Sequence, residues 1–246
     1  MPRVVASIEA RLGSSRFPGK VLADVNGQPA LTRLVRRLTL CNTLDDIVLA
    51  TTDSPGDDAL EQWAKGENVT CYRGSEDDVL RRVVAAHRLV RSEIVVEITG
   101  DSVLQDPEIL DMGVATFLAN RCDVVTNVKQ LSFPMGIDIQ VFPLRLLEHV
   151  EQAVYDPAVR EHVSLYFYEN PDQYEIIHLV APPMWRHPEY RFQLDYHEDH
   201  QFINEVYRRL EPQFGDAFGV VEIMELLSRE PQLLEINRNC EERAVR

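Results

Sequence analysis

Ten residues, Arg11-Leu-Gly-Ser-Ser-Arg-Phe-Pro-Gly-Lys20, constrain this chain more than any other stretch. They follow the apolar run Val4-Val5-Ala6-Ser7-Ile8 and precede an amphipathic segment that begins near Gln28. The loop packs two glycines, two serines and three permanent cations together, which makes it a cradle for a polyanion. Glycine lets backbone N–H groups approach phosphate oxygens, while Arg and Lys supply charge and forked donors. A strand, a glycine-rich basic loop and a helix occur in the order that phosphate sites of open α/β sheets require. The spacing departs from the Walker loop of nucleoside triphosphatases, which has four residues between its first Gly and its Gly-Lys and then a hydroxyl residue. Here five residues separate Gly13 from Gly19-Lys20, and Val21 follows.

The cluster is conspicuous because basic residues are scarce: 25 Lys and Arg stand against 40 Asp and Glu, a formal charge of −15. A field of that sign repels nucleic acid and anionic membrane, so neither is expected as a partner. A small anionic ligand remains compatible where the basic loop and a metal offset the field. Cys41, Cys71, Cys122 and Cys240 show no C-x-x-C spacing, so they read as reduced thiols, several of them buried, in a cytoplasmic protein. No apolar run approaches the roughly 18 residues of a membrane span, and the N-terminus enters a strand pattern without a signal sequence.

A chain of 246 residues with 45% apolar content can bury a full core. Short β-branched runs at 4–8, 46–52, 69–72, 94–99 and 123–127 alternate with helical patterns at 30–41, 57–65, 77–90 and 107–119. That alternation predicts an α/β fold, a Rossmann-like, mostly parallel sheet flanked by helices. Leu31, Leu34, Val35 and Leu38 recur at helical spacing and give the first helix one buried face. After Gln130 the rhythm changes. A strand is expected at 136–142, helices at 144–154 and 158–168, a strand pair at 174–180 and 190–194 split by a Pro-rich connector, and helices at 198–210 and 220–229. Without a linker or repeats, residues 1–246 read as one domain with a β-containing insertion at about 130–190, an expected acceptor and dimer region.

Gly100-Asp101 closes the run Ile94-Val-Val-Glu-Ile-Thr99, and ligands of open α/β sheets bind outside the carboxyl ends of strands. Beside a phosphate loop, a carboxylate there reads as a ligand for Mg²⁺, which takes one or two carboxylates and completes its shell with water and substrate oxygens. A second carboxylate comes from Asp195 or Asp138, and composition does not choose between them. Glu198 and Asp199 are expected to start a helix, where the dipole favours acids, and Glu76-Asp77-Asp78 to cap another. His162, His187, His197 and His200 lack zinc spacing and read as structural or surface residues. Arg160-Glu161-His162 reads equally as an ion-pair network on one helical turn. Tyr166, Phe167 and Tyr168 read as core or dimer contacts.

In order, the loop 11–20, Arg73-Gly-Ser-Glu-Asp-Asp-Val-Leu80, Gly100-Asp101 with Asp106-Pro107, Pro134 to Asp138, Arg160-Glu-His-Val163 and Leu194-Asp195 with Glu198-Asp199 resemble the cytidylyltransferases of the spore coat polysaccharide biosynthesis protein F type. These are similar to the enzymes that activate acylneuraminate and deoxy-manno-octulosonate as CMP-sugars. The resemblance covers most of the chain and implies a fold of the nucleotide-diphospho-sugar transferase type, a Mg²⁺-dependent reaction with CTP, an anionic acceptor and a homodimer. It implies that Arg11, Gly13, Ser14, Ser15, Arg16 and Lys20 grip the triphosphate, with Arg16, Lys20 and Asp101 in the catalytic role. Asp101 and Asp195 are implied as metal ligands. Thr52, in Ala50-Thr-Thr-Asp53, and Arg73 are implied near the nucleoside, and Asp138, Arg160 and His162 near the acceptor. One departure marks the acceptor wall: relatives commonly show Gly-Asp-Cys-Pro-Leu, whereas this chain has Gly-Asp-Ser102-Val103-Leu104.

The chemistry implied is in-line attack by an acceptor oxygen on the α-phosphorus of CTP with departure of pyrophosphate, helped by charge neutralisation and alignment. Three other readings stay open at this point. They are a guanylyltransferase acting on a sugar 1-phosphate, a metal-dependent glycosyltransferase, and a non-catalytic nucleotide-binding protein. The glycosyltransferase reading lacks its D-x-D motif at both Asp101-Ser-Val and Asp138-Ile-Gln.

Overall fold

The computed structural model describes residues 1–241. Its elements run β1 (Val4–Glu9), a 3₁₀ turn (Lys20–Leu22), the small hairpin β2 (Asp24–Val25) and β3 (Gln28–Pro29), α1 (Ala30–Leu38), β4 (Asp46–Thr52), α2 (Asp58–Glu67), β5 (Thr70–Gly74), α3 (Val79–Leu89), β6 (Ile94–Thr99) and α4 (Pro107–Ala119). The second half adds β7 (Val124–Thr126), β8 (Gln140–Pro143), α5 (Leu144–Ala153), α6 (Pro157–Glu161), α7 (Leu165–Glu169), β9 (Ile176–His178), α8 (His197–Phe214) and α9 (Val220–Arg229). Seven strands form one sheet in the order β5-β4-β1-β6-β8-β7-β9. β5, β4, β1 and β6 are mutually parallel, and β8 runs antiparallel to both β6 and β7. Residues 130–190 thus extend the sheet itself through β8 and β9.

Alternation along the strands divides the core. Val4, Ala6 and Ile8 face a layer containing Leu31 and Leu34 of α1, Leu60 of α2, Ile109 of α4, Phe202 of α8 and Ile223 of α9. Val5 faces the opposite layer, with Leu80 and Val83 of α3, Leu147 of α5, Val159 of α6 and Phe167 of α7. Strands buried on both faces read as continuous apolar runs, which is why β1, β4 and β6 were legible. Asp78 caps α3 by accepting from the Arg81 N–H, and Asp106 caps α4 by accepting from the N–H groups of Glu108 and Ile109. No helix among the described residues is long and apolar enough to cross a membrane.

Four expectations need correction. The strand expected at 136–142 is only Gln140–Pro143, because Gly136 at φ +92° turns the chain before it. The helix expected at 158–168 breaks into α6 and α7, with His162 extended between them at φ −114°, ψ 96°. Of the pair at 174–180 and 190–194, only Ile176–His178 joins the sheet, while Arg191 makes a single bridge to Met135. The four cysteines are free but none is fully buried.

Candidate active site

The loop after β1 is fastened at several points. Leu12 accepts through its carbonyl from the N–H groups of Ser14 and Gly19, both at 2.9 Å, and donates its own N–H to Asp57 at 2.7 Å. Asp57 in turn accepts from the Thr52 hydroxyl, which ties the loop to the end of β4. Gly19 takes φ +74°, a conformation strained for residues with a Cβ, and the turn it makes sends Lys20 back under the loop. Gly100 serves a different need: a Cβ there would lie 2.9 Å from Ala10 Cβ and 3.1 Å from the Glu9 carbonyl, so only glycine lets the end of β6 sit against the end of β1.

That close approach builds an ion cluster at the carboxyl ends of β1 and β6. Lys20 Nζ donates to Asp101 Oδ2 and Asp195 Oδ1, at 2.7 Å each. Arg16 donates to the same Asp195 Oδ1 at 2.6 Å, and Arg191 to Oδ2 at 2.7 Å. Asp101 Oδ1 accepts from the Thr99 hydroxyl at 2.6 Å. Burial opposes charge on Lys20, but the two carboxylates outweigh it and hold the ammonium above its ordinary pKa. Burial likewise acts to raise Asp101, yet Lys20 and the donated hydrogen bonds leave it below the usual carboxylate value. One ammonium is thus shared between two carboxylates from distant parts of the chain, one just after β6 and the other just before α8.

Around the cluster lies a cavity of about 400 Å³, lined by Arg11, Gly13, Ser14, Ser15, Arg16 and Lys20 of the loop, by Glu9, Arg82, Thr99 and Asp101, and by Glu161 and His162. Arg11 pairs with Glu76 at 3.3 Å and with Glu161, on the same cavity, at 3.7 Å. All six loop residues singled out in the sequence thus share one cavity with Asp101 and His162. Asp195 joins them through Arg16 and Lys20.

Other expected residues lie elsewhere. Arg73 does not line this cavity; it donates to the carbonyls of Thr52 and Ser54 and pairs with Asp58 and Glu61. Thr52 is fully buried and committed to Asp57. Asp138 lines a smaller cavity of about 140 Å³ with Asn127, Met135 and Gln193, and Thr99 opens on both cavities. Arg160 lines a third, outer cavity, pairing with Asp78 and lying 3.9 Å from Glu151. It does not pair with its neighbour Glu161, which faces Arg11 instead. The three expected acceptor residues thus face three different cavities.

Some participants went unread. Asp199 was expected only at a helix start. It does accept from the N–H groups of Asp195 and Tyr196 at the head of α8, but it also holds Arg191 Nε at 2.9 Å and so fixes the guanidinium that grips Asp195. The spacing of Arg191, Asp195 and Asp199, four residues apart in turn, was the available signal. Glu9 and Arg82 gave no local sign at all.

The donor set suits a divalent cation that arrives with phosphate. Among the described residues there is no cluster of three or more His, Cys, Asp or Glu able to hold a metal without substrate. What exists is a pair, Asp101 and Asp195, that share the Lys20 ammonium, with Arg16 and Arg191 also on Asp195. One or two carboxylates with substrate oxygens and water is the set that Mg²⁺ uses at phosphate sites.

Comparison with known proteins agrees with this geometry. Residues 5–237 match the family model described as cytidylyltransferase. The spore coat polysaccharide biosynthesis protein SpsF of Bacillus subtilis is 33% identical over 237 residues, covering 94% of this chain and 96% of that protein. The 3-deoxy-manno-octulosonate cytidylyltransferase of Chlorobium limicola is 30% identical over 189 residues, covering 74% of this chain and 70% of its own. Among solved structures, a cytidylyltransferase from Leptospira borgpetersenii superposes with a TM-score of 0.90 at 29% identity, over 99% of this chain and all of the other.

Proposed function

The chain belongs to the cytidylyltransferase family, and on that premise we propose that it couples CTP to a sugar acid, giving a CMP-linked product and pyrophosphate. The observation that carries the reading is the shared ammonium: Lys20 bridges Asp101 and Asp195, beside Arg16, on the floor of a cavity walled by a glycine-rich loop.

An incoming triphosphate offers Arg16 and Lys20 new anionic partners. The loop N–H groups and Arg11 add donors along the same wall, so the departing pyrophosphate meets fixed positive charge as its own charge grows. Lys20, anchored low in the cavity, suits the β- or γ-phosphate, while Arg16 can span towards the reacting phosphoryl group. Asp101 and Asp195 would hold Mg²⁺, and the ion would supply neutralisation of the triphosphate and polarisation of the reacting phosphoryl group. Asp138, in the neighbouring cavity, falls on the acceptor side of Thr99 and is the weaker candidate for a metal ligand. Arg191 and Asp199 position Asp195 from behind, and neither lines the main cavity.

The test is pyrophosphate release with each of CTP, GTP, ATP and UTP against sugar acids, among them 3-deoxy-manno-octulosonate, and sugar 1-phosphates, in the presence of Mg²⁺. Release with CTP and a sugar acid supports the proposal. Release only with GTP and a sugar 1-phosphate would replace it with a guanylyltransferase, and no release from any pair would leave a nucleotide-binding protein.

A further inference from the structure

Two opposite charges inside the main cavity do not close on each other, and the transfer chemistry above has no use for either. Alternation along β1 puts Glu9 on the same face as Val5, the face that α3 covers, and half-buried Glu9 lines the cavity at the strand's end. Arg82, one turn into α3, lines the same cavity. Its stem packs on the end of β5, where a Cβ at Gly74 would lie 3.3 Å from Arg82 Cγ.

Arg82 is 3% exposed. Its Nη1 donates to the carbonyls of Ser75 and Glu76, while Nε has no partner, and the guanidinium forms no ion pair among the described residues. Burial holds it below the ordinary guanidinium pKa, with Glu9 acting in the opposite direction. Glu9 accepts from the Ser7 hydroxyl at 3.3 Å. Burial and then Glu97, diagonally across the β1–β6 pairing, raise its pKa, and Arg82 opposes them. A buried guanidinium with donors to spare is costly unless a ligand takes them up. Here an unused donor group and a carboxyl line one cavity, with Ala10 and Val79 as apolar wall beside them.

Strand order decides which part of a nucleotide this flank meets. The cluster of Lys20, Asp101 and Asp195 lies at the ends of β1 and β6. The smaller cavity of Asp138 lies on the β8 and β7 side of it, and Glu9 and Arg82 lie on the β5 side. With the triphosphate on the cluster and the acceptor beyond Thr99, the β5 side is left to the base. Cytosine presents an N4 amine beside the acceptors N3 and O2, whereas uracil presents an O4 acceptor and an N3–H in the first two places. We propose that Glu9 accepts from cytosine N4 while Arg82 donates to N3 and O2, so that the pair specifies CTP against UTP. The inference rests on the transfer reading above and adds two specificity residues to it.

Calorimetry on the full-length protein, without acceptor, compares CMP, UMP and the pyrimidin-2-one ribonucleoside monophosphate, which lacks the 4-amino group and keeps N3 and O2. Affinity should fall in the order CMP, pyrimidin-2-one, UMP, by about tenfold or more from first to last, the value of hydrogen bonds to charged partners. Glu9→Gln should narrow the gap between CMP and UMP, because an amide can turn and donate to O4. Arg82→Met should weaken CMP more than UMP. The wild-type order decides the matter even where a variant fails to fold. Equal binding of the three nucleotides, or an order that survives undiminished in both variants, overturns the inference. So does an Arg82→Met protein with unchanged CMP affinity and a raised acceptor KM, which would give the guanidinium to the acceptor. Binding needs no turnover, so an absence of pyrophosphate release beside the expected order overturns the transfer reading alone, and failure to bind CMP overturns both.

Discussion

Replacing Lys20 by Met removes the cation that Asp101 and Asp195 share while keeping most of the side chain's volume. Lys20 is 8% exposed and both of its contacts are 2.7 Å. Breaking a buried ion pair from one side costs about 3–5 kcal/mol. Here the lower end applies, about 3 kcal/mol, because Asp195 retains Arg16 and Arg191 and only Asp101 is left without a cation, keeping the neutral donors Thr99 and Gln193. The cost should depend on pH in a definite sense. Asp101 has a folded pKa below its ordinary value, so its contribution is present above the ordinary carboxylate range and is lost as pH falls through the depressed value. Urea unfolding should therefore show wild type and variant well separated at pH 7 and converging in strong acid, where the carboxylate no longer needs Lys20. Binding gives a second measure. A hydrogen bond to a charged partner contributes about 1.5–3 kcal/mol, and Lys20 must give up two carboxylates to reach phosphate, so a loss of about tenfold in CTP affinity is expected. CMP affinity should barely change. Equal losses for CMP and CTP would refute the phosphate assignment, and a stability gap that persists undiminished in acid would refute the assigned ion pair.

Three further outcomes are expected. Asp101→Asn should keep the fold and lose most turnover, because an amide cannot replace carboxylate charge at a Mg²⁺ site; full activity of wild type in excess chelator would contradict the metal reading. Gly100→Ala should destabilise by about 1–3 kcal/mol through overpacking, since its Cβ would meet Ala10 and the Glu9 carbonyl; an unchanged urea midpoint would show that the two strand ends can separate freely. The protein should form a homodimer, the commonest symmetric oligomer, and a monomeric mass in light scattering at micromolar concentration would count against that.

The sequence by itself carried the features that repeat locally or pack into one short stretch. Continuous apolar runs identified β1, β4 and β6, because a strand buried on both faces admits little else, and the composition of the loop 11–20 pointed to phosphate by itself. Gly100-Asp101 was legible for the same reason, as a strand end beside that loop. Contacts made through space were not legible. Asp195 and Asp138 looked alike in sequence, and only the fold brings Asp195 to Lys20, 175 residues away, while Asp138 goes to a neighbouring cavity. Arg73 looked free to reach a nucleoside until the end of β4 and the start of α2 were seen to occupy its guanidinium. Glu9 and Glu97 sit inside unremarkable strand runs, and their meeting depends on the parallel register of β1 and β6. Periodicity encodes which way a side chain points along its own element; which charges share a wall is set by strand order and register, which depend on the packing of the whole chain.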